Sequence, residues 1–267
     1  YFQVKINDWF KIEVVPTLKV KNTKESKNIT DLSHSHVKYI NKKISSEKTL
    51  DEIKLAKAFC EGIGVYGAES YVNGFSGYSL ELLINHYKTF DKFLKELSKR
   101  RKNKLIIDTE ELYKNKNNIL IELNGAKLIS PIILIDPTDK NRNALAALSL
   151  ETLEVFREKA KEFLKKPSIE FFHKREIDFE KTKKEAMENG FKFVLIKTKT
   201  KKQKGDIAGT KLLKFFKHLS SEISRYFNIK DKGFVYSKEN YALNFFVLEK
   251  KEFIVFTGPS IDDKKNI

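Results

Sequence analysis

Cysteine occurs once in these 267 residues, at Cys60. A single thiol excludes an internal disulfide framework and any cysteine-rich zinc site, which makes a reducing, cytoplasmic setting the expectation. Long apolar runs are missing as well. None approaches the roughly 20 residues that a spanning helix requires, so no membrane partner is expected, and the opening carries no secretory leader pattern. There is also no initiator methionine; the chain opens on "YFQVKINDWFKIEVVP", strand-like sequence of the kind found inside a domain rather than at its edge. Internal repeats and low-complexity tracts are absent. Acidic charge is in short supply: 36 Asp and Glu face 52 Lys and Arg, a formal charge of +16. That excess fits a polyanionic partner such as nucleic acid, with a generally lysine-rich proteome as the alternative. Hydrophobic residues at 40% and aromatics at 12% exclude wholesale disorder although 33% of the chain is charged. The length favours two domains over one.

What is present reads as an α+β chain. Alternation around Trp9, Phe10, Ile12 and Val14, stopped by Pro16, predicts a strand near a sheet rim. "VKNTKESKNITDLSHSH" reads as a polar loop. A capping box from Thr49 to Glu52 is expected to open a helix with the stripe Leu50, Ile53, Ala56, Cys60 and Ile63. It stops at a glycine-rich segment, since five of the eleven glycines lie between Gly62 and Gly77. A longer helix is expected from Tyr78 through Leu97. "KLIID" and "NILIEL" read as short strands, and "PIILIDPTDKNRN" as a strand entering a polar turn. Ser149 caps a helix that Pro167 closes. Beyond about residue 175 come "FKFVLIKTK", a lysine-rich loop, a helix over Leu212 to Phe227 and "YALNFFVLEKKEFIVF", a small α+β domain with one sheet face covered.

Several residues carry chemistry on this reading. Lys57 falls within the inward stripe of its helix, so its ammonium either snorkels outward or meets an anion. With Tyr66 and the glycines that follow, it makes a candidate cradle for a triphosphate and a base. "GFSGY" precedes a helix and either offers amides to an anion or allows close packing; it is neither a P-loop nor a nucleophile elbow. His34 and His36 lack ligand spacing for zinc and suit a phosphate or sugar contact instead. "IDPTDKNRN" puts Asp136, Asp139 and Arg142 in one turn, where carboxylates can direct a guanidinium or form a structural salt-bridged turn. Glu13 projects from its strand opposite Ile12 and Val14, as a metal ligand or a solvated edge carboxylate.

Taken in order, "IEVVP", "HSH", "LAKAFCEGIGVYGAE", "GFSGYSLELLI", "IDPTDKNRNALAALS" and "FLKKPSIEFF" resemble the archaeal, class I CCA-adding enzymes, tRNA nucleotidyltransferases that build the 3′-terminal CCA. The resemblance spans nearly the whole chain and is specific to about residue 172. It implies a remnant of the nucleotidyltransferase palm over 1–40, a mostly helical central neck domain over 41–172, and an α+β body domain binding tRNA over 173–267. It also implies CTP and ATP as substrates and Mg²⁺ as cofactor. Glu13 in "EVVP" matches the family's third metal-binding carboxylate, with glutamate in place of aspartate. His36, Lys57 and Tyr66 match positions that contact the incoming nucleotide, Arg142 the arginine that helps read the base edge, and Asp136 and Asp139 its supporting turn. Asn73 stands where a basic residue often precedes "GFSGY". No Gly-Ser turn with paired carboxylates behind it occurs in these residues, and the family's tail domain is expected to be missing after Ile267. The expectation is therefore a catalytic subunit that needs a separate chain carrying the N-terminal half of the palm, and that is inactive without it. Two alternatives stand beside it: a noncatalytic tRNA- or RNA-binding module of the same descent, and a related polymerase such as a poly(A) polymerase or oligoadenylate synthetase.

Overall fold

The computed structural model describes residues 2–7, 10–18, 29–174, 177–237 and 240–254. Trp9, most of the lysine-rich stretch before the two histidines, and the terminal "TGPSIDDKKNI" lie outside them. The fold is α+β. The chain divides into two units, Tyr1–Arg175 and Glu176–Ile267.

The first unit opens with an antiparallel hairpin of β1 (Phe2–Lys5) and β2 (Lys11–Val14), in which Glu13 pairs with Gln3. Phe2 and Val4 face their partners Val14 and Ile12, and all four are exposed. A 3-10 turn over Ile29–Leu32 leads into α1 (Ser33–Lys43), so His34 and His36 sit on a helix rather than in the expected loop. No residue of α1 is fully buried, which leaves little hydrophobic periodicity to read.

The core forms around α2 (Glu47–Gly62), α3 (Gly77–Tyr87), α4 (Phe90–Leu97) and α7 (Leu150–Lys165). Helix α2 starts two residues before the expected box. Glu52 does not cap it; its carboxylate accepts the Phe90 backbone N–H at 2.6 Å and so serves the start of α4. Ile53, Ala56 and Cys60 are buried as the stripe requires, whereas Leu50 is exposed. The single helix expected after Tyr78 is two: Lys88 adopts φ 73°, closing α3, and Thr89 accepts from the Lys92 amide to start α4. Phe59 sits at the centre of the aromatic packing, with Phe90, Phe156, Phe163, Phe171 and Phe172 ringing it at 5.5–6.1 Å.

A second sheet joins β3 (Leu105–Ile107), β4 (Ile132–Asp136) and β5 (Asp139–Asn143), with β3 parallel and β5 antiparallel to β4. The expected strand "NILIEL" is instead α5 (Lys116–Glu122), started by Asn115, whose side chain accepts from Asn118 N–H. Ile119 and Leu123, four apart, pack on Ile133 and Ile135, while Ile121 is 80% exposed. Tertiary packing overrides the β-branched composition there. A short α6 (Gly125–Leu128) precedes β4.

In the second unit α8 (Phe179–Glu188), β6 (Lys192–Lys199), α9 (Gly205–Tyr226), β7 (Phe227–Ser237) and β8 (Tyr241–Lys250) form an antiparallel sheet in the order β6-β8-β7. Helix α9 begins earlier than expected, on the inward spacing Ala208, Leu212, Phe216, Ser220. Instead of one covered face, β8 is packed on both: Phe246 and Leu248 lie with Phe216, and Phe245 and Val247 lie with Ala186 of α8. That explains the unbroken apolar run "FFVL". Helix α8 escaped the pattern because only Ala186 of it is buried.

Candidate functional site: a groove between two helices

The glycine-rich segment folds back on itself between α2 and α3. Phe75 N–H donates to the Val65 carbonyl at 2.9 Å and Gly67 N–H to the Phe75 carbonyl at 2.8 Å. A Cβ on Gly74 would stand 2.1 Å from the Val65 carbonyl oxygen, so only glycine permits this approach. The chain then enters α3, where Ser76 Oγ accepts from Ser79 N–H. A Cβ on Gly77 would meet the Tyr66 hydroxyl at 2.9 Å and Lys57 Nζ at 3.7 Å. Gly77 is thus bare where a lysine from α2 and a tyrosine from the fold-back converge on the start of a helix. Lys57 neither snorkels away nor stays unpaired: its ammonium donates to Glu81 Oε1 at 2.6 Å, with side chains 33% and 24% exposed.

The second half of the site gathers around Asp136, at the C-terminal end of β4. Its carboxylate is completely buried. Oδ2 accepts from His36 Nε2 at 3.0 Å and Arg142 Nη1 at 2.5 Å. Oδ1 accepts from the Tyr78 hydroxyl at 2.9 Å and from both the amide and the hydroxyl of Thr138 at 2.8 Å. Burial by itself would raise the carboxyl pKa; the His36 bond, the Thr138 amide and the His36 and Arg142 charges outweigh it and hold Asp136 well below the usual carboxylate range. The neighbouring phenol moves the other way. Burial, the Asp136 charge and the bond to it push Tyr78 well above its ordinary value, so it remains a neutral donor. His36 Nε2 also lies 3.1 Å from Arg142 Nη1, so imidazole, guanidinium and carboxylate form one cluster. His36 stacks on the Tyr78 ring at 3.9 Å, and the Arg142 guanidinium lies 5.9 Å from the same ring. Asp139 does not reach Arg142; its carboxylate accepts the Asn141 backbone N–H at 3.1 Å, shaping the turn.

A groove of about 350 Å³ joins the two halves. Its walls include Ser33, His36 and Ile40 of α1 and Gly77, Tyr78 and Glu81 of α3. Of His36, Lys57, Tyr66 and Arg142, singled out by sequence, only His36 lines it; Lys57 and Tyr66 stand next to its Gly77 and Arg142 next to its His36. Tyr78, Glu81 and Thr138 were not singled out by sequence. The first two follow from the motif itself, since Tyr78 succeeds Gly77 directly and Glu81 lies one helical turn beyond it. Glu13 is exposed on β2 and is not among the residues that line the groove. Among the described residues no three His, Cys, Asp or Glu side chains converge as a metal site. The chain's own described residues thus do not fit a Mg²⁺ ion unaided.

The fold thus sets a glycine-bounded groove beside a lysine, a tyrosine and a guanidinium oriented by a buried acid. Residues 51–173 match the family described as "tRNA nucleotidyltransferase, second domain". The chain is 39% identical over 189 residues to the CCA-adding enzyme of Saccharolobus solfataricus, covering 70% of this chain and 42% of that protein. It is 44% identical over 149 residues to that of Nanoarchaeum equitans, covering 56% and 37%. With that of Methanocaldococcus jannaschii it shares 31% identity over 267 residues, covering 97% and 57%. The chain spans about half the length of the curated relatives it matches. Over the part of their length that it spans, the chain is similar to archaeal CCA-adding enzymes.

Proposed function

We propose that this chain is the nucleotide-holding neck and tRNA-holding body of a nucleotidyltransferase that adds C, C and A to tRNA from CTP and ATP. The observation that carries it is the gathering of Lys57, Tyr66 and Arg142 around the groove that His36 lines. Lys57 and the amides opening α3 meet the triphosphate, with Glu81 neutralising the ammonium until the nucleotide arrives. Arg142, aimed by Asp136 through a single Nη1 contact, presents its remaining N–H groups to the base edge. Asp136 acts through Arg142 and His36 and is a positioning residue. Glu13 would contribute one carboxylate to a Mg²⁺ ion whose other ligands come from outside the described residues. Two-metal nucleotidyl transfer requires several ligands, and the exposed apolar face of the β1–β2 hairpin suits packing against further palm structure.

Equilibrium dialysis of CTP and ATP against this chain tests the groove: Arg142→Ala is expected to weaken both by about tenfold or more, the worth of a charge-assisted contact, and unchanged affinity overturns the assignment. Addition of CTP and ATP to tRNA lacking CCA tests completion. Activity of the chain alone would contradict the need for outside carboxylates. The formal charge of +16 favours one further reading, an RNA-binding module without catalysis. Full activity of Glu13→Ala in the completed enzyme would remove Glu13 from the chemistry, and absence of nucleotide addition with the rest of the palm present would favour that module.

A further inference from the structure

Helix α1 contributes one wall of the groove, yet it buries no residue fully. Tyr39 and Ile40 pack partly buried against the core, and the polar contacts of the helix fall on one stripe. His36 bonds Asp136 at the end of β4. One turn on, the Tyr39 hydroxyl donates to Glu110 Oε1 at 2.6 Å, and one turn further Lys43 Nζ meets the same Oε1 at 2.7 Å. Glu110 follows β3, which runs parallel to β4. The C-terminal ends of two parallel strands therefore present two carboxylates to residues 36, 39 and 43 of one helix. The groove is lined by the adjoining stripe, Ser33, His36, Val37, Ile40 and Asn41.

One anchor fixes a point on a helix and leaves it able to pivot. Two anchors, seven residues or about 10 Å apart along the axis, fix its direction and its rotation as well. The Asp136 contact is the first anchor and Glu110 the second. The ion pair is consistent with this, since the bonds from Lys43 and Tyr39 hold the Glu110 carboxyl below its ordinary range. Glu110 itself is absent from the groove lining.

We propose that Glu110 is a positioning residue that sets the orientation of α1, so that His36 and its neighbours on the helix face the nucleotide in one arrangement. The proposal rests on the groove's being the nucleotide site, and the test separates the two. Amide hydrogen exchange over residues 33–43 is followed in the full chain, beside CTP affinity, for Glu110→Ala, Glu110→Gln and Tyr39→Phe, with Arg142→Ala as reference. Loss of one or two such bonds predicts exchange over α1 faster by about 2- to 10-fold in Glu110→Ala, unchanged exchange over α3, and CTP binding weaker by a similar factor. Glu110→Gln, which keeps an acceptor for Tyr39 and loses the charge facing Lys43, is expected to recover part of both effects. Tyr39→Phe reads out the clamp should Glu110→Ala fail to fold. Unchanged α1 exchange in these variants overturns the proposal. So does faster exchange with full CTP affinity, provided Arg142→Ala has lost CTP. If Arg142→Ala binds CTP as the parent does, the groove assignment falls instead, and α1 exchange alone then decides whether Glu110 is a clamp.

Discussion

Two clusters of the first unit are held by opposite means. Around Phe59 five phenylalanine rings pack with no polar atom to satisfy. Around Asp136 a completely buried carboxylate is surrounded by His36, Tyr78, Thr138 and Arg142. The first cluster depends on volume and tolerates small changes of direction. The second depends on direction, since each donor must aim at one of two oxygens. This difference separates stability from recognition: the phenylalanines hold α2, α4 and α7 together, and the carboxylate aims the groups that face the groove.

That contrast yields graded expectations. Phe59→Ala opens a cavity in the rigid cluster and is expected to cost about 3–5 kcal/mol in urea denaturation. A loss under about 1 kcal/mol would show that the rings are loosely packed. Asp136→Asn keeps the shape and removes the charge. It is expected to cost about 1.5–3 kcal/mol, the worth of hydrogen bonds to a charged group, and to weaken CTP binding. The sign of its pH dependence follows from the depressed carboxyl. The stabilisation is complete above the ordinary aspartate value of 3.8 and is lost as the pH falls below it toward the lower folded value. The Asp136→Asn variant is expected to lose stability less steeply in acid than the parent; identical acid denaturation curves would break the distinction between the clusters.

Smaller effects sharpen it. Gly77→Ala places a methyl against the Tyr66 hydroxyl at 2.9 Å, the far end of a side chain that can swing aside. Stability is expected to stay within about 1 kcal/mol, while CTP affinity falls roughly fivefold, one hydrogen bond's worth. Equal affinity in parent and variant would remove Tyr66 from the site. Lys57→Ala breaks a partly exposed ion pair and is expected to change stability by less than about 1 kcal/mol. Its effect is on the triphosphate: CTP is expected to bind about tenfold more weakly and CMP nearly as before. Equal losses for CTP and CMP would place Lys57 away from the phosphates.

The elements legible from sequence were those with a strong period or a clear stop. The helix after Ser149 buries the repeating set Leu153, Phe156 and Ala160, "FKFVLIKTK" alternates in exposure over its second half, and the strand into Asp136 is a wholly buried apolar run between two prolines. Helix α1 was not legible because its anchors are His36, Tyr39 and Lys43, polar groups that mimic a loop. "NILIEL" misled because isoleucine favours strands and only the surface of β4 makes the spacing of Ile119 and Leu123 decisive. Among the site residues, Lys57 could be read as needing an anion, but not that Glu81 would be the partner. Asp136 and Arg142 were near in sequence; nothing short of the fold sets His36 between them.

Residue order and composition determined the excess of positive charge, the glycines that let the chain fold back before α3, and the motif series shared with the archaeal relatives. These are local properties, set by side-chain size, charge and backbone freedom. Tertiary structure alone decided which carboxylate meets which cation and which faces border the groove. Those contacts join residues up to a hundred positions apart, and burial makes each donor and acceptor depend on the one partner within reach.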